Sequence, residues 1–195
     1  LSSCLLLALG LDLAAGGPSD GVAADLPPLR GGTPPLFTAD LAVSLDAEDR
    51  SALSVCVSVP YPGLQWLLLT QGYGAGAEIT VSLVPERGGR VFGDVWEQRV
   101  VVPTFQETTA PRAIQEARTF RLPPGAYRAT VSVRDLGSGV ASSASERLRV
   151  PDLSRVPLGL SDLSLGTADS AGCFTPVPAR IFGLEVRDLA ARVVF

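Results

Sequence analysis

The chain has 195 residues, 46% of them hydrophobic and 18% charged, and carries a net charge of −4 with no histidine. That is enough for one well-buried domain of about 100–150 residues with chain to spare. Its 16 basic residues are all arginine and scattered along a net negative chain, which argues against nucleic-acid binding and against charge-driven attachment to an anionic membrane.

The first segment, Leu5-Leu-Leu-Ala-Leu-Gly-Leu11, is apolar and is followed by small residues at Ala14-Ala15-Gly16-Gly17. With no methionine at position 1, residues 1–24 read as the rear part of a secretory signal peptide, cleaved after Ala15–Gly17 or after Ala24. Export follows from that reading. Leu1-Ser-Ser-Cys4 has the outline of a lipobox, but most of the apolar residues come after Cys4, so lipid anchoring there is the lesser alternative. No later segment approaches the roughly 20 apolar residues that span a bilayer. Residues 25–35, with Pro27-Pro28 and Pro34-Pro35, read as a linker.

Period-two alternation then begins, the mark of strands with one buried and one wet face. Phe37, Ala39, Leu41, Val43 and Leu45 share one face; Leu53, Val55, Val57 and Val59 repeat the pattern after the polar turn Asp46-Ala-Glu-Asp-Arg50. Residues 64–70 form a third apolar run, and residues 72–76 read as the turn after it. Ile79, Val81 and Leu83 define a fourth strand, and Pro85-Glu-Arg-Gly-Gly89 a hairpin-like loop. Residues 91–95 and 99–102 are separate β-prone stretches, and residues 103–118 are polar, with a short helical turn expected at 115–118.

The clearest strand follows Leu122-Pro-Pro-Gly125, where Tyr127, Ala129, Val131 and Val133 alternate with Arg128, Thr130, Ser132 and Arg134. Gly-Ala-Tyr127 at a strand start suits a tyrosine corner, in which the hydroxyl bonds back to upstream backbone. Gly137-Ser-Gly139 turns the chain, and Leu148 and Val150 close the set. Short strands with turn signals every 8–15 residues or so predict an all-β, immunoglobulin-like antiparallel β-sandwich over residues 36–153. Residues 154–195 then read as a connector and the truncated start of a second β unit.

Little catalytic chemistry is on offer. Without histidine, Ser/His/Asp and Cys/His arrangements are impossible. The carboxylates Asp40, Asp46, Glu48, Asp49, Asp94, Glu97, Asp135 and Asp152 fall mostly in turns, where Asp is favoured for local hydrogen bonding. There is no Cys-x-x-Cys and no Asp-x-Asp-x-Asp loop, and Gly72-Tyr-Gly-Ala-Gly76 lacks the Gly-Lys-Ser/Thr of a phosphate cradle. No catalytic, cofactor or metal residue is assigned. Cys56 and Cys173 either pair or are two unrelated small residues; their spacing carries no information. Tyr61, Trp66, Tyr73 and Trp96 are the aromatics available to stack on a sugar, the alternative for each being ordinary packing.

The segments also resemble, in their order, the β-sandwich region of bacterial GWxTD domain-containing proteins. The matching pieces are Leu53-Ser-Val-Cys-Val-Ser-Val-Pro-Tyr61 with Leu64-Gln65-Trp66, Ile79-Thr-Val-Ser-Leu83, Phe120-Arg-Leu-Pro-Pro-Gly-Ala-Tyr127 and Val133-Arg-Asp-Leu-Gly-Ser-Gly139. Val150-Pro-Asp-Leu153, Leu160-Ser-Asp-Leu163 and Pro178-Ala-Arg-Ile-Phe-Gly183 continue the series, so that the resemblance spans roughly residues 36–195. The naming motif Gly-Trp-x-Thr-Asp is absent, since neither Trp66 nor Trp96 follows a glycine. The resemblance implies an exported bacterial protein of no established activity. Composition and resemblance together lead to the expectation of a non-catalytic exported module with a structural or protein-interaction role and protein partners, with glycan binding as the alternative.

Overall fold

A computed structural model describes residues 27–45, 50–152, 164–168, 174–178 and 189–192. In chain order the elements are β1 (Leu29–Arg30), β2 (Thr38–Leu45), β3 (Ser51–Pro60), a single 3-10 turn (Tyr61–Gly63), β4 (Leu67–Leu69) and β5 (Gly72–Pro85). They continue with β6 (Phe92–Val102), the one-turn helix α1 (Phe105–Thr108), β7 (Ala113–Arg121), β8 (Gly125–Asp135) and β9 (Ala141–Val150). Last come β10 (Ser164–Ala168), β11 (Phe174–Pro176) and β12 (Leu189–Arg192). Every strand pairing is antiparallel.

One sheet runs β1-β2-β3-β7. In the other, β5 carries β6 along one edge, with β8 and the short β4 end to end along the opposite edge and β9 beyond β8. The crossovers that place β7 beside β3 and β8 beside β5 are those of an immunoglobulin-like sandwich. A separate three-stranded sheet, β11-β10-β12, lies in the region read as a second β unit.

Alternation builds the core. Ala39, Leu41 and Val43 of β2 and Leu53, Val55, Val57 and Val59 of β3 point inward from the first sheet. Ala77, Ile79, Val81 and Leu83 of β5 meet them from the second, with Tyr127, Ala129, Val131 and Val133 of β8. At the flanks β1 lies against β9, and β6 against β7. Burying one such side chain contributes about 1.5–3 kcal/mol, and the two inner faces supply most of the apolar stabilisation.

Four local expectations need correction. Residues 72–76 are the start of β5, not a turn: a two-residue connection, Thr70-Gln71, suffices because Gly72 adopts φ +132°, open to glycine alone. Residues 91–95 and 99–102 are one continuous strand, β6, whose register with β5 is unbroken. Residues 115–118 are not helical but central to β7; the one helical turn lies earlier, at Phe105–Thr108. The stretch read as linker is partly structural, since Leu29 pairs with Ala39 and is buried, and the Gly31 amide donates to the Phe37 carbonyl at 3.0 Å. Cys4, Asp46, Glu48, Asp49, Cys173 and the whole signal-like segment lie outside the described residues. Among those described, no helix is long and apolar enough to cross a membrane.

Candidate functional site

The feature that sandwich packing does not account for lies on the outer face of the second sheet. Register places Leu67 beside Gly74 and Gly74 beside Val101, with Gly76 beside Arg99. Because successive side chains alternate faces, Leu67, Leu69, Gly74, Gly76, Arg99 and Val101 all project away from the core. The glycines leave a floor with no side chains, and the neighbours become walls. The resulting groove holds about 140 Å³, closed at one end by Leu136 and Gly137.

The glycines here allow close approach. A Cβ on Gly74 would fall 2.5 Å from Leu69 Cδ1, and one on Gly76 would fall 2.9 Å from Leu136 Cδ1. The walls are exposed apolar surface: Leu67 is 50% accessible, Leu69 43% and Val101 45%. Single exposed apolar residues are ordinary, but a contiguous set marks an interaction surface.

A buried carboxylate holds the closed end. Asp135 terminates β8, and its Oδ2 accepts hydrogen bonds from the Gln65 amide (3.0 Å), the Ser138 amide (3.3 Å) and the Ser138 hydroxyl (2.6 Å). Oδ1 accepts from the Gly137 amide at 3.1 Å. The Leu136 amide donates to the Gly76 carbonyl at 2.9 Å, tying this loop to β5. Asp135 therefore fixes the two segments that form the groove end; with every contact a hydrogen-bond donor, its role is structural.

The structure separates the aromatic candidates. Tyr61 is buried and meets Trp66 edge to face, 5.2 Å between centroids, while Trp66 Nε1 donates to the Tyr61 carbonyl at 3.1 Å. That pair anchors the connection from β3 to β4. Tyr73, half-buried at the start of β5, stands edge to face with exposed Phe105 at 5.6 Å. Trp96 is half-buried on β6, with the Arg118 guanidinium 4.5 Å above its ring and no partner for its buried Nε1 among the described residues. Each ring is already engaged, and no two form a common exposed platform. Tyr127 is buried and donates its hydroxyl to the Pro123 carbonyl at 2.7 Å, the geometry of a tyrosine corner; burial pushes its phenol pKa up.

No family model, curated protein or solved structure matches this chain. Cys56, opposite Asp40 in the β2–β3 register, is a half-buried free thiol, its pKa pushed up to about 11 by burial and then by the Asp40 charge. A thiol in that state is a poor nucleophile at neutral pH. Asp94 and Glu97 pair with Arg118 (3.7 Å) and Arg99 (2.8 Å). Among the described residues no cluster of three or more His, Cys, Asp or Glu could hold a metal.

The groove residues are not among those that the sequence singles out, although two signals point to them. A strand cannot bury all of Leu67-Leu-Leu69, and glycines at 72, 74 and 76 fall on one face.

Proposed function

We propose that this chain is a non-catalytic module that makes protein–protein contact through the outer face of its second sheet. The observation that carries the reading is the apolar groove, floored by Gly74 and Gly76 and walled by Leu67, Leu69, Val101 and Leu136. Arg99 at its margin supplies a polar rim, the composition expected at interfaces with an apolar centre. Export is part of this proposal and rests on the apolar and small residues of 5–17; the GWxTD resemblance supports the same placement.

The test compares the parent chain with Leu67→Asp on two supports. Passed over immobilised chain, the exported-protein fraction of the native organism should yield a partner retained by the parent and lost with Leu67→Asp at unchanged melting temperature. A glycan array should show no ligand. Equal retention by both proteins removes the groove from the account. A glycan hit abolished by substituting Tyr73 or Trp96 replaces protein contact with sugar binding.

A further inference from the structure

We propose that β6 is a self-complementary edge through which two copies of this chain pair antiparallel, about a two-fold axis at Gln98. This goes beyond the groove reading and rests on the strand edge, although Arg99 and Val101 take part in both.

An unpaired strand edge presents a row of free N–H and C=O groups, and proteins usually blunt such edges with short strands, bulges, lysines or prolines. β6 is 11 residues long and unbroken in register, and no described strand pairs its outer edge. Arg118 of β7 holds it from the inner side, through Asp94 at 3.7 Å and the Trp96 ring. The direction of its backbone groups follows from β5. The Gly76 carbonyl points towards the β8 side, where it accepts from Leu136, so even-numbered residues of β5 face β8 and odd-numbered ones face β6. Odd residues of β5 pair with even residues of β6, which leaves the backbone groups of Val95, Glu97, Arg99 and Val101 directed outward. In agreement, the Val95 amide is taken by its neighbour's carboxylate, Asp94 Oδ1, at 2.9 Å.

The side chains along that edge match their own reverse. Antiparallel pairing centred on Gln98 sets Val95 opposite Val101 and Glu97 opposite Arg99 on the outer face. It sets Trp96 opposite Val100 on the inner one. Val95 is 58% exposed and Val101 45%, so the apolar pairs cover surface now wet. Within one copy the Arg99–Glu97 pair is 2.8 Å long but exposed, and so contributes little; across the pair the two charges become directly opposed, the arrangement that stabilises a ladder. Register is specified as well. Sliding by two residues sets Glu97 against Glu97 or Arg99 against Arg99, and sliding by one reverses the faces. The occupant that fits this edge is therefore a second copy.

The experiment is sedimentation equilibrium on the full chain from about 1 µM to about 1 mM, spanning weak to moderate affinities. The parent should approach twice the chain mass as concentration rises. Glu97→Arg and Arg99→Glu should each weaken association roughly tenfold or more, because each brings like charges together. An equimolar mixture of the two variants should recover it, since the two arginines of one copy then face the two glutamates of the other. Under mild oxidation Gln98→Cys should form a disulfide-linked dimer, because the axial pair lies about 4.5 Å apart at Cα, within disulfide reach; the parent and Val95→Cys should not. Leu67→Asp should leave self-association intact, separating this proposal from the groove. A parent that keeps single-chain mass throughout, single variants that associate as the parent does, or a mixture that fails to recover would each overturn it.

Discussion

Replacing Asp135 with asparagine isolates the contribution of one buried carboxylate to the groove end. The carboxylate accepts from four donors, three on Oδ2 and one on Oδ1. An amide can present its oxygen to only one side. The better orientation keeps Gln65 and Ser138 bonded and turns the NH2 towards the Gly137 amide, leaving that donor unpaired. Losing one buried partner costs about 1–3 kcal/mol, with some charge assistance lost besides. Asp135→Ala abandons all four donors and should cost about 3–4 kcal/mol, near the upper end for point substitutions. Urea unfolding followed by tryptophan fluorescence reads this directly, because Trp66 and Trp96 are the only tryptophans and both pack against the sandwich core. The midpoint should fall at constant slope, asparagine less than alanine. Asparagine within about 0.5 kcal/mol of the parent, or alanine no worse than asparagine, would refute the reasoning.

Three further substitutions or measurements follow from individual contacts. Gly72→Ala must place a side chain at φ +132° against the Val102 carbonyl and should cost more than about 2 kcal/mol, whereas Gly74→Ala meets only the movable tip of Leu69 and should cost less than about 1; chemical denaturation compares them. Tyr127→Phe removes the 2.7 Å bond to the Pro123 carbonyl and should cost about 1–2 kcal/mol, measured by the same unfolding assay. Cys56, its pKa raised from an ordinary 9.0 to about 11, should alkylate about a hundredfold more slowly at pH 8 in the folded chain than in urea, followed by peptide mass spectrometry. The sign follows from the raised value: below pH 9 nearly all of the folded thiol is protonated, and reactivity rises only as pH approaches 11.

How legible each element was depended on whether its inward positions were all apolar. In β3 and β8 they are, and alternation alone locates both strands and their buried faces. In β7 the inward positions between Ile114 and Phe120 are Glu116 and Arg118, whose charged ends reach the open flank beside β6; a polar run read as irregular is a strand. In β6 the inward row includes the polar Gln98, and with Glu97 beside it the strand splits into two apparent pieces. Glycines at 72, 74 and 76 read as a turn because glycine is common in turns, while here the last two serve close packing of Leu69 and Leu136. The groove itself was illegible for a different reason. Leu67 and Gly74 meet across a tight hairpin, but Val101 and Leu136 join them only through the register of β5 with β6 and the loop after β8, which no local pattern encodes.

Whether the outer face around Leu67 and Leu69 contacts another protein can be read by site-specific photo-crosslinking in the native organism. A photoreactive residue at Leu67, the most exposed apolar wall of the groove, is compared with one at Ser143, exposed on the same sheet face away from the groove. A discrete protein adduct is expected from position 67 and should be missing from position 143. Identical adduct patterns from the two positions, or none from either, would contradict that contact.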